Sequence, residues 1–259
     1  MTVLSVNLNK VALLRNSREG QRPGVIEFAR LAIAAGAGGI TVHPRPDQRH
    51  VRASDVPALA TMLKTEYPHI EFNIEGNPVA DANAGGYPGF IPLIKAVGPA
   101  QATLVPDSDD QLTSDHGWDL SVAQPQLRAH IEACQQAGAR VSLFMDPVVE
   151  HMAIAADYGA DRVEFYTGPY AETFWQYGAA DQRTQDCYRQ FALAAEAALH
   201  AGLGINAGHD LDQQNLPLFA NLPGLAEVSI GHAIICEALI DGFGDTVAAY
   251  AKILQSTNG

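Results

Sequence analysis

The chain is short of basic residues and of cysteine, and each shortage narrows the functions it can have. Its 16 Lys and Arg are outnumbered by 29 Asp and Glu, for a formal net charge of −13, so a nucleic-acid partner is not expected. The three cysteines, Cys134, Cys187 and Cys236, have the spacing of neither a disulfide framework nor a metal site. Cysteines without such spacing predict buried thiols in a reducing cytoplasm.

The chain also lacks a hydrophobic run long enough to cross a membrane, and its first residues lack the basic and apolar regions of a signal peptide. We therefore expect a cytoplasmic protein without a membrane segment. Of its 259 residues, 47% are hydrophobic and 17% charged, which is typical of a globular chain with a sizeable core. Residues 1–50 hold seven of the 16 Lys and Arg but only three acidic residues, so a local cationic site can exist on an acidic protein.

Short apolar runs alternate with Ala- and Leu-rich stretches of helical period. The predicted strands are 4–8, 39–43, 71–75, 102–106, 140–146, 162–167, 204–207 and 227–230, and predicted helices include 25–35, 127–137, 148–158 and 187–201. Long loops are predicted at 106–118 and 168–182. This order predicts a single (β/α)8 TIM barrel domain over 1–259. A doubly wound open sheet is the alternative, weakened because no Gly-x-Gly-x-x-Gly follows the first strand.

Polar side chains collect where the predicted strands end, and strand ends carry the active site of a parallel barrel. These candidates are Asn7, Asn9 and Lys10 after the first strand, His43, Arg45, Arg49 and His50 after the second, Asn73 and Glu75 on the third, Glu164 and Tyr166 on the sixth, Asn206 and His209 on the seventh, and His232 after the eighth. Their concentration at one end of otherwise apolar strands predicts a polar active site there.

Two segments near the C-terminus share one pattern, a short apolar strand that ends in glycine and histidine before a helical stretch. They are Gly208-His209 and Gly231-His232. Glycine lets backbone amides approach an anion, and a helix N-terminus offers free N–H groups and the positive end of its dipole. On the last two strands of a barrel, this pattern predicts a binding site for a phosphorylated small molecule.

His43 and Glu75 are candidates for acid–base chemistry. An imidazole exchanges protons near neutral pH, and the neighbouring Arg45 offers a bidentate donor for phosphate. A carboxylate that ends a buried strand is paired, coordinating or catalytic, so a structural ion pair is an equal alternative for Glu75. No metal is expected, since the first strand has no His-x-His and no strand end has paired ligands.

Longer motifs at these strand ends are specific when taken in order. They are Leu14-Arg15-Asn16-Ser17-Arg18, Gly39-Ile40-Thr41-Val42-His43-Pro44-Arg45, Asn73-Ile74-Glu75, Leu104-Val105-Pro106 with Leu112-Thr113, Tyr166-Thr167-Gly168-Pro169-Tyr170-Ala171, Asn206-Ala207-Gly208-His209 and Ile230-Gly231-His232-Ala233. Through them the chain resembles, nearly end to end, the pyridoxine 5′-phosphate synthase family, which closes the pyridine ring of vitamin B6. The resemblance implies a (β/α)8 barrel with extra helices and no metal or organic cofactor. It also implies a homo-oligomer built from dimers, commonly an octamer.

The resemblance further implies that 1-deoxy-D-xylulose 5-phosphate and 3-amino-2-oxopropyl phosphate condense to pyridoxine 5′-phosphate, phosphate and water. His43 and Glu75 would accept protons, and His209 would donate one. The other implied residues bind substrate: Asn7, Arg18, Gly231 and His232 hold the aminoketone phosphate, and Arg45, His50 and Thr113 hold the deoxyxylulose phosphate.

Three positions of the substrate site depart from the better-known form of the family. Asn9-Lys10 stands where that form has Asp-His, so a negative charge is lost and a permanent cation replaces an imidazole. We expect Asn9 to keep its hydrogen bonds and Lys10 to hold a phosphate or the substrate carbonyl. Asp210 stands where glycine is usual, and we predict that it caps a helix over 211–219 as its N-cap residue.

Two other functions remain open from the sequence. A barrel of the same ancestry with changed chemistry, such as an aldolase or isomerase of phosphorylated sugars, could use Lys10 to form a Schiff base. A sensor of a phosphorylated ligand is disfavoured, because binding alone needs neither an acid nor a base.

Overall fold

The computed structural model describes residues 1–108 and 111–256, and within them eight parallel strands close into a barrel. The strands are β1 (Val3–Asn7), β2 (Gly39–Val42), β3 (Glu71–Gly76), β4 (Gln101–Leu104), β5 (Arg140–Met145), β6 (Arg162–Tyr166), β7 (Gly204–Gly208) and β8 (Leu225–Ile230). Each strand pairs with the next along the chain, and β8 pairs with β1, where Val228 lies opposite Leu4. The predicted (β/α)8 barrel is confirmed, and the open sheet is wrong because the strands form a closed ring. That residues 1–259 form one domain stays a prediction.

Helices follow the strands and pack against the apolar core outside the barrel. Within the described ranges they are α1 (Asn9–Asn16), α2 (Val25–Ala34), α3 (Asp55–Glu66), α4 (Phe90–Val97), α5 (Leu127–Gln136), α6 (Val149–Tyr158), α7 (Gly168–Tyr177), α8 (Gln182–His200), α9 (Leu216–Phe219), α10 (His232–Asp241) and α11 (Phe243–Ser256). Two helices follow each of β1, β6 and β8, so the barrel has the extra helices that were predicted. Across the described part of the chain, no helix is long and apolar enough to cross a membrane.

One of the two predicted loops is mostly helical. The segment 168–182 contains α7, whose first turn includes Pro169. Proline is tolerated there because the N–H it lacks would have no partner within the helix, and burial of Tyr170 anchors the turn. After β4, the described residues of 106–118 form no helix or strand, as predicted, and 109–110 lie outside the described residues.

The thiols differ in their burial from the prediction. Cys134 is buried, but Cys187 is half-buried and Cys236 is exposed. Within α10, Ile234 is the buried residue, so Cys236 lies on a face of that helix turned away from the core.

The strands alternate between an apolar face under the helices and a polar face toward the barrel axis. Ala102 of β4 lies in the apolar core, whereas its neighbours on either side are polar. Gln101 accepts from Asn206 of β7 at 3.2 Å, and Thr103 donates to Glu164 of β6 at 3.3 Å. Because side chains alternate with period two, this inward polar row continues on β3 from Asn73 to Glu75 and on β6 from Glu164 to Tyr166.

Candidate active site

A cavity of about 110 Å³ opens at the carboxyl ends of the barrel strands. Nine residues predicted for the site line it: Asn7, Asn9, Lys10, Glu75, Thr113, His209, Asp210, Gly231 and His232. A larger cavity of about 600 Å³ adjoins it and shares Asp210, His232 and Ala233. The two form a concave polar site at the mouth of the barrel, of the size that small phosphorylated molecules need.

The end of β1 connects three strands at this cavity. The Asn7 amide donates to Oε2 of Glu75 at 3.3 Å, and its oxygen accepts from the backbone N–H of Asn9 at 2.9 Å. Asn9 in turn accepts from the backbone N–H of His43 at 2.8 Å. This hydrogen bond requires only an oxygen acceptor on the side chain, which asparagine provides as aspartate would. Lys10, the second residue of α1, lies half-buried in the cavity wall.

His43 lies next to Glu75, which forms part of the cavity wall. Nδ1 of His43 is 4.0 Å from Oε2 of Glu75, and both side chains are buried. Burial lowers the pKa of His43 well below its usual value, and the charge of Arg45 acts in the same direction. Burial also raises the pKa of Glu75 to about 8, an effect to which Asp107 and Glu227 add. The two shifts favour a neutral imidazole beside a protonated carboxyl group.

Glu164 is a second buried carboxyl group in the cavity wall, which the sequence placed at a strand end but did not assign to the site. Burial raises its pKa well above the usual value, and the charge of Glu75 adds to the effect. A Cβ on Gly208 would lie 2.6 Å from Oε1 of Glu164. The glycine that ends β7 therefore makes room for this carboxyl group. The available signal was an acidic residue between two apolar neighbours in a strand.

His209 is held at both ring nitrogens. Nε2 lies 2.9 Å from Oγ1 of Thr113, and Nδ1 lies 2.8 Å from Oδ2 of Asp210. The ring of Tyr166 contacts the imidazole edge-on, with centroids 5.2 Å apart. The hydrogen bond from His209 lowers the pKa of Asp210, so this carboxylate is ionised at neutral pH. An ionised carboxylate only accepts, which places a proton on Nδ1 of His209.

The predicted N-cap role of Asp210 is wrong. Helix α9 begins at Leu216 with Asn215 as its N-cap, and Asp212 accepts from the backbone N–H groups of Gln214 and Asn215 at 2.8 and 2.9 Å. Asp210 has a left-handed φ of 57°, whereas an N-cap residue is normally extended. The predicted phosphate corner after β7 therefore has no helix starting directly behind it.

The corner after β8 does have a helix N-terminus. Gly231 is the N-cap of α10, and together with His232 and Ala233 it lines the cavity. The first N–H groups of a helix lack partners within it, and its dipole favours an anion at this end. A Cβ on Gly231 would lie 2.9 Å from Cβ of Asn7, so glycine allows the ends of β8 and β1 to pack together. Of the two predicted phosphate corners, this one has the required geometry.

The loop after β2 lies outside the cavity wall. Arg45 forms a buried ion pair with Asp107 and donates to the backbone oxygen of Gln111 at 3.2 Å. Arg49 donates to the same oxygen at 2.9 Å, and the two arginines line a separate cleft of about 160 Å³. Asp107 was missed from the sequence, because one acidic residue in a loop has no pattern that predicts a buried partner.

Arg18 and His50 also lie outside the cavity wall. His50 is buried near His43, with ring centroids 6.2 Å apart, and burial lowers its pKa to about 3. Arg18 is exposed after α1. Substrate contacts of Arg18, Arg45 and His50 stay predictions. Among residues 1–108 and 111–256, no group of three or more His, Cys, Asp and Glu side chains could hold a metal ion.

Solved structures similar to this chain show the fold alone. Phosphoribosyl anthranilate isomerase from Thermus thermophilus has a TM-score of 0.57 at 15% identity, with 98% of this chain and 99% of that chain covered. The isomerase of the same name from Thermotoga maritima has a TM-score of 0.57 at 11% identity, covering 99% of this chain and 100% of that chain. Identities this low carry no argument about chemistry.

Curated relatives are far more similar in sequence. Pyridoxine 5′-phosphate synthase of Xanthomonas axonopodis pv. citri (strain 306) is 55% identical over 256 residues, which cover 98% of this chain and 97% of that protein. The protein of that name from Xylella fastidiosa (strain M12) is 52% identical over 258 residues, covering 99% and 96%. The family model described as pyridoxal phosphate biosynthesis protein PdxJ matches residues 4–256. The chain therefore belongs to the PdxJ family of pyridoxal phosphate biosynthesis proteins.

Proposed function

We propose that this protein is the enzyme that condenses 1-deoxy-D-xylulose 5-phosphate with 3-amino-2-oxopropyl phosphate. The products are pyridoxine 5′-phosphate, phosphate and water. Family membership over residues 4–256 and the relatives' name support the reaction. The observation on which the proposal rests is that Glu75, His209 and the N-terminus of α10 line one cavity.

The reaction needs repeated proton transfers, since an imine forms, phosphate leaves, the ring closes and water is lost. His43 is neutral at physiological pH and acts as a proton acceptor. Glu75 accepts a proton once it is ionised, which its pKa of about 8 allows in a fraction of molecules at neutral pH. His209 donates from Nε2, the ring nitrogen beside Thr113. The site thus contains acceptors and a donor on different strands.

Two phosphate groups must be bound. The aminoketone phosphate lies at the N-terminus of α10, where Gly231 and His232 meet Asn7, and Arg18 is a further ligand of it. The deoxyxylulose phosphate lies toward Thr113, with Arg45 and His50. Asn9, Lys10 and Asp210 line the same cavity, and we expect them to complete the substrate site.

Reaction on protein groups alone, without a metal or an organic cofactor, is part of the proposal. So are a cytoplasmic location and a homo-oligomer, an octamer built from dimers, which size-exclusion chromatography with light scattering tests. Changed chemistry at Lys10 remains the alternative, because this residue lines the cavity. Borohydride would trap a Schiff base on Lys10 in the presence of substrate, and a Lys10→Arg variant serves as its control.

Incubating the purified protein with both substrates tests the function, with pyridoxine 5′-phosphate followed by absorbance and phosphate release measured in parallel. We expect both products, in equal amounts, and their loss in Glu75→Gln and His209→Ala. Well-folded protein that forms neither product would overturn the proposal. Binding of both phosphates without turnover would indicate a sensor instead.

A further inference from the structure

The hydrogen bond between His209 and the residue that follows it joins two exceptional positions. Both lie in the left-handed region, with φ of 88° at His209 and 57° at Asp210. Residues with side chains rarely occupy this region, although aspartate tolerates it better than most. When a residue with a charged side chain occupies this strained backbone conformation, we expect that side chain to make a specific interaction.

The backbone at this corner is fixed by its carbonyl groups. The backbone N–H of Thr167 donates to the backbone oxygen of Gly208 at 3.0 Å, and the Thr167 hydroxyl donates to the backbone oxygen of His209. The Asn215 amide donates to the backbone oxygen of Asp210 at 3.1 Å. Three successive carbonyl groups are held in this way. The backbone at this corner is therefore held without the Asp210 carboxylate. The hydrogen bond of this carboxylate to Nδ1 of His209 acts on the imidazole ring instead.

We propose that Asp210 is a positioning residue for His209: its carboxylate accepts the Nδ1 proton and directs Nε2 into the cavity as the atom that gives up the proton. This inference rests on the proposed donor role of His209. The donating step starts from the doubly protonated ring: the Nε2–H bond breaks, the proton passes to a substrate oxygen, and the electron pair stays on Nε2. The neutral imidazole that results keeps its proton on Nδ1, which donates it in a hydrogen bond to the Asp210 carboxylate.

The hydrogen bond has two effects on His209. It selects the tautomer with a proton on Nδ1, so that the neutral ring presents the Nε2 lone pair to Thr113. It also fixes the orientation of the ring by placing a carboxylate oxygen 2.8 Å from Nδ1. The edge-on contact with Tyr166 limits rotation of the ring, so that the two nitrogens keep these partners.

The Asp210→Gly variant tests whether the carboxylate positions His209 or only stabilises the fold. Glycine adopts the left-handed backbone freely, so we expect an unchanged or higher melting temperature. With the carboxylate gone, we expect kcat to fall by about tenfold or more, while KM for each substrate changes by less than about twofold. Asp210→Asn should recover part of kcat, because its amide oxygen still accepts from Nδ1. Asp119→Asn removes an exposed carboxylate that lies 3.9 Å from His151 and lines neither cavity, and it should leave kcat unchanged.

A second measurement does not depend on turnover. In protein labelled with ¹⁵N-histidine, the ring-nitrogen shifts of His209, assigned with His209→Asn, should show the Nδ1–H tautomer in the wild type and in Asp210→Asn. In Asp210→Gly they should move toward the Nε2–H form. Unchanged shifts in Asp210→Gly, or an unchanged kcat, would overturn the proposal. If the shifts change in Asp210→Gly but His209→Ala still turns over, the hydrogen bond between Asp210 and His209 is supported and the role of His209 as proton donor is refuted.

Discussion

Nδ1 of His43 lies 4.0 Å from Oε2 of Glu75, and burial of both side chains opposes an ion pair between them. Burial disfavours the charged form of each, lowering the pKa of the imidazole and raising that of the carboxyl group to about 8. Among the described residues, no Lys or Arg forms a salt bridge with Glu75, so the structural ion pair left open by the sequence is absent. The pair is poised for proton transfer, because a small change in local charge ionises the carboxyl group.

Replacing Glu75 with glutamine should abolish turnover without unfolding the protein. The amide resembles the protonated carboxyl group in shape, so we expect a melting temperature close to that of the wild type. Loss of the proton acceptor should lower kcat by roughly 10²–10⁴-fold. Glu66→Gln, which alters an exposed ion pair with Arg30, is the control and should keep full activity. Activity that survives in Glu75→Gln would remove Glu75 from the mechanism.

The pH dependence of kcat should report the same carboxyl group. Its pKa of about 8 means that the accepting, ionised form increases as pH rises from 6 to 8. We expect kcat to rise over that interval in the wild type. A stopped or continuous assay across the range measures it, and a flat profile would show that another group limits the rate.

Glu227 should make the protein less stable as pH rises. Burial raises its pKa to about 7, although Arg162 lies 3.8 Å away and opposes the shift. The folded state therefore holds a proton that the unfolded chain releases above its usual pKa, so stability present below about pH 4.5 declines until about pH 7. Relative to Glu227→Gln, the wild type should lose up to about 1.4 kcal/mol for each pH unit in this window. Urea unfolding at several pH values measures the difference, and parallel curves would contradict the prediction.

Breaking the ion pair between Arg45 and Asp107 should be costly. Their side chains are 5% and 3% exposed, so Asp107→Ala leaves a buried guanidinium without its charge partner. We expect a loss of about 3–5 kcal/mol in the free energy of unfolding. Asp47→Ala breaks the more exposed pair with Arg49 and should cost less than about 1 kcal/mol. Similar losses in the free energy of unfolding in the two variants would show that burial does not determine what these ion pairs contribute to stability.

A methyl group at position 231 should damage the site. In Gly231→Ala the new Cβ would lie 2.9 Å from Cβ and the backbone oxygen of Asn7, whose displacement would disturb its hydrogen bond to Glu75. Misplacement of this kind should lower kcat/KM on the order of 100-fold. Gly244→Ala is the matched control, because nothing lies within 4 Å of its added methyl group and it lies in α11. It should keep activity and stability.

The fold could be predicted because each strand and helix has a local periodic signal. The glycine-histidine pair after β8 was predicted for the same reason, since a strand and a helix on either side define the corner. The prediction failed after β7, where Asp210 looks like a capping residue but its left-handed backbone turns it toward His209. A side-chain type does not reveal the sign of φ, which depends on contacts made by Thr167 and Asn215.

By itself, the sequence determined the eightfold alternation of strand and helix, the family, and the set of polar residues at the strand ends. These follow from local periodicity and residue chemistry. Only the tertiary structure decided the burial and the partners of these groups: that burial beside His43 raises the pKa of Glu75, that Glu164 joins the cavity, and that Arg45 is paired with Asp107. Desolvation and pairing depend on atoms brought together from distant parts of the chain, so no local pattern encodes them.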